Sequence, residues 1–503
     1  MMKKNIWNNN KPLFVTLIIL IALVWLGLGF MGRQTFVQTA LSGLTLGSLY
    51  FMVASGLTLI FGLMGVLNFA HGAMFMIGAY AGWQFYTNPT FIFGLLPLVG
   101  AVFTGIAAAG FLKPQFSSRF LTGENDAVQQ RVKLIKPVSL IIAAVLVLSA
   151  LWKFDFLGLA ETAMVAITVT SKPLAEATPQ EPFLRFSVRL ILLIAAGAAA
   201  SFSTVHRGYS RRASDTGKDW KNTAALAAVV VLTVVTALIR ESASVGVLSM
   251  NADLRFFFAL IAGTAVGGSL GALVEMTLIR PLYKSHLYQL MVTMGLAFVL
   301  LELTQVLWDP LAYQMSRPPL FAQPGKAESL LAWFSEHTIT VNILGVTFPS
   351  YRLFIIALGV MMFVIIALVM RYSRLGIIIR AGVQDSEMVE SLGINVRKIF
   401  TFVFVLGACL AALGGIGSAP FIPVEPSMGD TFQLQGFIAV VIGGMGSISG
   451  AAIGALLLGL ARSFGDFLAL QFNLSPAISE ASTVIIMAIV LLVRPSGLFG
   501  RRD

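Results

Sequence analysis

Charge is scarce in this chain of 503 residues: Asp, Glu, Lys and Arg together make up 11%, where soluble domains carry about 25%. With 57% of the residues hydrophobic, a soluble fold is excluded and a membrane protein with many spans is implied. Cysteine is nearly absent. The single Cys409 lies in an apolar run, which excludes an intrachain disulfide and a cysteine-based metal site. The four histidines, His71, His206, His286 and His337, are scattered and make no ligand spacing. No G-x-x-x-x-G-K-S/T phosphate loop occurs, so the chain does not bind and hydrolyse ATP in the P-loop manner. The net charge is +11. Its basic residues sit in short clusters between apolar runs, the pattern of cytosolic loops rather than of a nucleic-acid surface.

What is present reads as an all-α, polytopic transmembrane bundle with broken or short helices. The basic start (1–11) leads into an apolar run at 13–30. That run is longer than a signal-peptide core and no small-x-small site follows it, so a retained span is expected. Residues 36–65 are apolar but dense in Gly, Ser and Thr, and Gly43 and Gly47 stand four apart, as close helix packing requires. From 91 the character changes, with apolar runs at 91–112, 137–151, 186–203 and 223–239 separated by basic segments, and a mixed stretch whose 156–170 part suits a re-entrant piece. The span at 256–278 carries Gly263, Gly267 and Gly271, a second face of small residues. Residues 308–351 are polar with few basic residues and are placed outside. Most of the 34 basic residues fall inside when both termini are cytosolic. The expected count is about 14 crossings, several of them short or broken.

A polar island at 371–400 stands between two long apolar runs. Its basic residues Arg371, Arg374, Arg380, Arg397 and Lys398 place it on the cytosolic face. It holds a short helix pattern of its own: Asp385 follows a Gly-containing turn, Met388, Val389 and Leu392 recur at helical spacing, and Gly393 stands where a C-cap belongs. A short amphipathic helix exposed between spans is either a solvated loop or an element that docks in a partner's groove.

Five blocks carry a resemblance. Residues 43–80 (GLTLGSLYFMVASGLTLIFGLMGVLNFAHGAMFMIGAY), 279–302, 371–395, 439–459 (AVVIGGMGSISGAAIGALLLG) and 491–500 (LLVRPSGLFG) follow one another as in the permease subunits of bacterial branched-chain amino acid ABC importers. The chain resembles that family over 36–90 and 256–503, with an extra span within 1–35 and an atypical membrane insertion of four spans at 91–255. The resemblance implies a multi-pass inner-membrane subunit without catalysis of its own. It implies no bound cofactor, ATP being used by partner ATPase subunits, and as further partners a second related permease, a periplasmic solute-binding protein, the solute and membrane lipid. It also implies that 371–400 is the ATPase-coupling segment. Arg380 and Asp385 then hold its shape or meet the partner's charges, Met388, Val389 and Leu392 give apolar contact, Gly393 releases the helix, and Ile394 and Asn395 belong to the same coupling set. The same framework serves urea, amides and organic acids.

Two polar breaks are candidates for the solute path. Asn68, His71 and Gly72 interrupt an apolar setting and either line the path or brace neighbouring helices. The break around Gly443, Gly444, Gly446 and Ser447 either offers backbone groups to a solute or is a tight turn packed through Gly446, Gly450 and Gly454. A secondary carrier, the alternative of another class, requires a functional intramembrane carboxylate. Glu275, Glu302 and Asp466 are the candidates, and snorkelling or local pairing is the simpler expectation for each. A scaffold or sensor that does not transport is the third reading.

Overall fold

The computed structural model describes residues 31–120, 126–152, 183–203, 216–283, 285–384, 386–391 and 393–500, with residues 29 and 154. The expected span at 13–30 and the piece at 156–170 lie outside them. The described residues form an all-α polytopic bundle. Its helices are α1 (Arg33–Met64), α2 (His71–Thr87), α3 (Thr90–Phe120), α4 (Asp126–Leu151), α5 (Phe183–Phe202), α6 (Thr216–Ser249), α7 (Ala252–Val274) and α8 (His286–Trp308). They continue with α9 (Leu330–Glu336), α10 (Ser350–Tyr372), α11 (Arg374–Gln384), α12 (Ser386–Ser391), α13 (Val396–Ser418), α14 (Met428–Gly443), α15 (Ile448–Gln471) and α16 (Ala477–Val493). Among the described residues ten helices are long and apolar enough to cross a membrane, fewer than the apolar runs suggested. α2, α14 and α16 have 17, 16 and 17 residues, short of the roughly 20 that a full crossing takes.

The chain divides into two compact units, one of residues 1–83 and 251–503, the other Gln84–Met250. In the first, α1 is the central helix. It ends at Gly65, whose φ of 63° and N–H bond to Phe61 O close a left-handed cap. Gly43 and Gly47 face α15. A Cβ at Gly459 would stand 2.3 Å from Gly43 O and 2.4 Å from Gly47 N, so only hydrogen on these carbons lets the backbones meet. On α7, a Cβ at Gly263, Gly267 or Gly271 would come within 2.5 Å of Gly78 O, Ala412 Cβ or Ala408 Cβ respectively, which locks α7 against α2 and α13.

The polar stretch after α8 contains structure that an all-α reading did not anticipate. Strands β1 (Gln323–Ala327), β2 (Thr338–Ile343) and β3 (Val346–Pro349) form one sheet, β1 parallel to β2 and β2 antiparallel to β3. Leu344 and Gly345 join β2 to β3 with φ of 54° and 83°, both positive as a two-residue type I′ hairpin turn requires.

In the second unit α3, α4, α5 and α6 pack around Leu98, Ala101, Ala150, Phe186 and Leu193. α3 and α5 meet closely, since a Cβ at Gly105 would stand 1.9 Å from Ile194 O. Arg189 is buried and donates to Ala150 O at 2.6 Å, which ties α5 to the end of α4.

Candidate coupling and permeation sites

The polar island folds as two helices rather than one. Ser373 ends α10 in extended backbone. Its hydroxyl donates to Val369 O at 2.6 Å and accepts the Gly376 N–H at 3.0 Å, which starts α11. Gly376 is required by contact: a Cβ there would lie 2.3 Å from Met370 O. Arg380 donates to the same carbonyl. After α12, Gly393 adopts φ 80°. Its N–H bonds Glu390 O at 2.9 Å and that of Ile394 bonds Val389 O at 3.4 Å, the two bonds of a Schellman motif. Asn395 then caps α13, accepting from the Lys398 N–H at 3.2 Å.

The apolar face of α12 divides. Met388 is 63% exposed, whereas Val389 is 4% exposed and anchors the helix to its own chain. Of these two apolar side chains it is Met388 that is open on the surface. Periodicity marks an apolar stripe without saying on which side the apolar surface lies. Asp385 and Leu392 lie outside the described residues.

A cavity of about 530 Å³ opens beside this segment, lined by Thr58 and Gly62 of α1, Arg380 of α11, and Gly446, Ser447 and Phe499. The glycine break thus lies at the same end of the unit as α11. Gly444 and Gly446 turn the chain with φ of 96° and 82°. Ser447 caps α15 by accepting the Gly450 N–H at 3.1 Å. A Cβ at Gly450 would be 2.2 Å from Gly443 O, and one at Gly454 2.2 Å from Ala439 O. The carbonyls of Ile442 and Gly443 accept from the N–H groups of Leu498 and Phe499 at 2.8 and 2.9 Å. The break is a tight turn whose last carbonyls are taken by the chain's own tail.

Asn68, His71 and Gly72 stand elsewhere, at the start of α2. Asn68 accepts the Ala70 N–H on its side chain at 3.0 Å, and its backbone carbonyl accepts from Gln433 Nε2 at 3.3 Å. The His71 ring fills the space beside Gly56 of α1, where a Cβ would meet the ring at 2.7 Å and Gly407 O at 2.6 Å. Gly72 faces Gly429 O of α14, 2.2 Å from where its Cβ would be. Asn68 Nδ2, Gln433 Oε1 and Gln435 Oε1 are buried without hydrogen-bond partners among the described residues, and the buried His71 ring lies against the Val53 backbone. Gln433 and Gln435 were missed in the sequence, because a glutamine in an apolar run carries no spacing signal of its own.

The carboxylates are engaged or exposed. Glu275 is fully buried and receives Arg280 on both oxygens at 3.3 and 3.0 Å, together with the Tyr283 hydroxyl. Arg280 also donates to Thr401 at 2.7 Å. Burial and the Glu275 carboxylate push the Tyr283 phenol above its ordinary pKa. Asp466 lies 3.7 Å from Arg462, which reaches Glu480 at 3.6 Å. Glu302 is exposed on α8.

Residues 39–116 and 220–494 match the family described as "Branched-chain amino acid transport system / permease component". The chain belongs to this family. Among curated members of this permease family, it is 37% identical over 134 residues to the high-affinity branched-chain amino acid transport system permease protein LivH of Escherichia coli, covering 26% of this chain and 42% of that protein. It is 30% identical over 256 residues to the corresponding permease protein BraD of Pseudomonas aeruginosa, covering 50% and 77%. The ribose import permease protein RbsC of Escherichia coli is 28% identical over 259 residues, covering 50% and 70%. No solved structure matches the chain. The permease match extends through most of α3 and resumes in α6. The match leaves 117–219 without a counterpart, inside the compact unit Gln84–Met250.

Proposed function

We propose that this multi-pass permease is the inner-membrane subunit of an ATP-driven ABC importer for branched-chain or related amino acids. Its termini are cytosolic, and it works with ATPase subunits, a second related permease and a periplasmic solute-binding protein. The permease match supports the transport class. The observation that carries the coupling role is the cavity shared by α11, the glycine turn and the tail. Arg380 of α11 and Gly62 of α1 both line it, α11 packs directly on α1, and α1 packs on α15. A push on α11 and α12 from an ATPase then reaches α1 and α15 through packed backbone rather than through a loose loop. The buried, unpartnered polar atoms of Asn68, Gln433 and Gln435, beside the buried His71, are the best candidates for the solute path, since such groups are costly at membrane depth unless they serve a cavity or a partner.

Of two further readings, one has support of its own. The sugar permeases among the relatives, ribose and fructose import proteins by name, favour a framework that accepts other small polar solutes. A secondary carrier is disfavoured because Glu275 is held by Arg280 and Tyr283. The deciding test is co-purification of the tagged chain in mild detergent. ATPase subunits should accompany the wild type and Gly393→Asn, which tolerates positive φ, and be lost with Gly393→Pro, whose φ is fixed near −65°. Wild type without any ATPase overturns the proposal. Proteoliposomes of the assembled complex, fed leucine or ribose, then separate the solutes.

A further inference from the structure

The second unit holds a groove that the transport reading does not use. Its volume is about 490 Å³, between α3, α5 and α6. Leu190, Ile194, Val234 and Ala237 form its walls. At one end stand Thr104 and Thr233, and their hydroxyls are 3.1 Å apart. Thr233 donates to Val229 O at 2.8 Å and Thr104 in turn to Thr233, so this end asks nothing of a ligand. Charged chemistry is confined to the other end, with Ser187, Arg240 and Glu241. The Arg240 guanidinium is held over the Phe186 ring, 4.2 Å from its centroid, and lies 3.6 Å from the Glu241 carboxylate. Seven residues of α6 separate Thr233 from Arg240, about 10 Å of apolar length at a rise of 1.5 Å per residue.

Two facts define the occupant. The outer faces of the wall helices are apolar and open, with Ile191 and Leu232 each more than 60% exposed, so the groove is approached from lipid rather than from water. Its charged end pairs one cation with one anion, which complements a head carrying both charges. We propose that this groove binds a single phospholipid with an ethanolamine head, one acyl chain lying between Leu190 and Ala237. The phosphate meets Arg240 and the primary ammonium meets Glu241. A choline head has the same charges and no N–H to donate, and a glycerol head has no cation. The length of the apolar wall favours an acyl chain over a free amino acid, whose side chain would leave the Thr104 end empty.

Native mass spectrometry of the full chain, delipidated in detergent and titrated with ethanolamine, choline and glycerol phospholipids of identical chains, tests this. Wild type should retain one ethanolamine lipid in preference to the other two. Ala237→Phe fills the groove and Arg240→Gln removes the phosphate partner. Arg240→Gln should weaken retention about tenfold, the scale of one charge-assisted hydrogen bond, and Ala237→Phe, by occupying the acyl-chain space, should abolish it. Glu241→Gln should shift preference from the ethanolamine to the glycerol head, a change that a folding defect does not produce. Val231→Phe, on an open face beside the groove, should bind as wild type. Equal retention of all three lipids, or unchanged retention in Ala237→Phe and Arg240→Gln, overturns the proposal. Displacement of the lipid by free leucine does so too, and makes the groove a solute site. None of these outcomes depends on an ATPase, so the failure of this inference is separable from failure of the transport reading.

Discussion

At the scale of single residues, the bundle is set by where side chains are missing. A Cβ at Gly459 would overlap two backbone atoms of α1, and backbone does not give way as a side-chain tip does. Gly459→Ala should cost about 1–3 kcal/mol, as overpacking does, and lower the midpoint of thermal unfolding in detergent. Gly295, with nothing within 4 Å, is the contrast: Gly295→Ala should be neutral or stabilising by up to about 1 kcal/mol, the difference in helix propensity. Glu275 makes the opposite point, because there a side chain is indispensable. Arg280→Ala leaves a fully buried carboxylate facing only Tyr283, and should destabilise by about 3 kcal/mol in the same assay. The pair Glu275→Gln with Arg280→Met should recover most of that loss, since a buried ion pair is weak support in itself. Glycine spacing made Gly43, Gly47 and the α7 stripe visible in the sequence, because one small residue per turn marks a face where two helix backbones meet. The partnership of Glu275 with Arg280 was not visible. The two are five apart, out of register on an α-helix, and meet only because residues Glu275–Ile279 form a π-helical turn.

At the scale of elements, the glycine turn and its tail form one unit. Leu498 is fully buried, and with Phe499 it covers carbonyls that the end of α14 cannot bond within the helix. A chain ending after Arg494 should therefore keep its spans, melt several degrees lower, and lose the partner ATPases in co-purification. Retention of ATPase by that truncation would show that the tail plays no part in coupling. The turn itself was legible, since GGMGSISG between apolar runs allows little else. Its cover was not, because nothing in RPSGLFG says where it lands. The small sheet was overlooked for a related reason. Thr338–Ile343 alternates as a strand should, but a four- to six-residue strand in a chain dominated by helical runs is too brief for periodicity to decide. For α12 the sequence showed the helix and its Gly393 stop, and hid that Val389 faces inward.

At the scale of the whole molecule, the family pattern breaks over 117–219. Among the described residues that stretch holds α4 and α5, two helices long enough to cross. An insertion with an even number of crossings returns the chain to the side it left, which would let the flanking permease segments keep their sense. Replacing 121–215 by a short Gly-Ser linker should leave ATPase co-purification intact while abolishing retention of the ethanolamine lipid, because α5 supplies one wall of its groove. Loss of both would show that α4 and α5 are part of the machinery rather than an addition to it. The tail that covers the glycine turn has one further effect, in time rather than in space. Phe499 is translated after all sixteen helices described, yet it lines the cavity beside α11. On the proposed reading, the surface that would meet an ATPase is finished only once the last of these spans has been made, and a nascent or prematurely stopped permease would have no finished face with which to capture one.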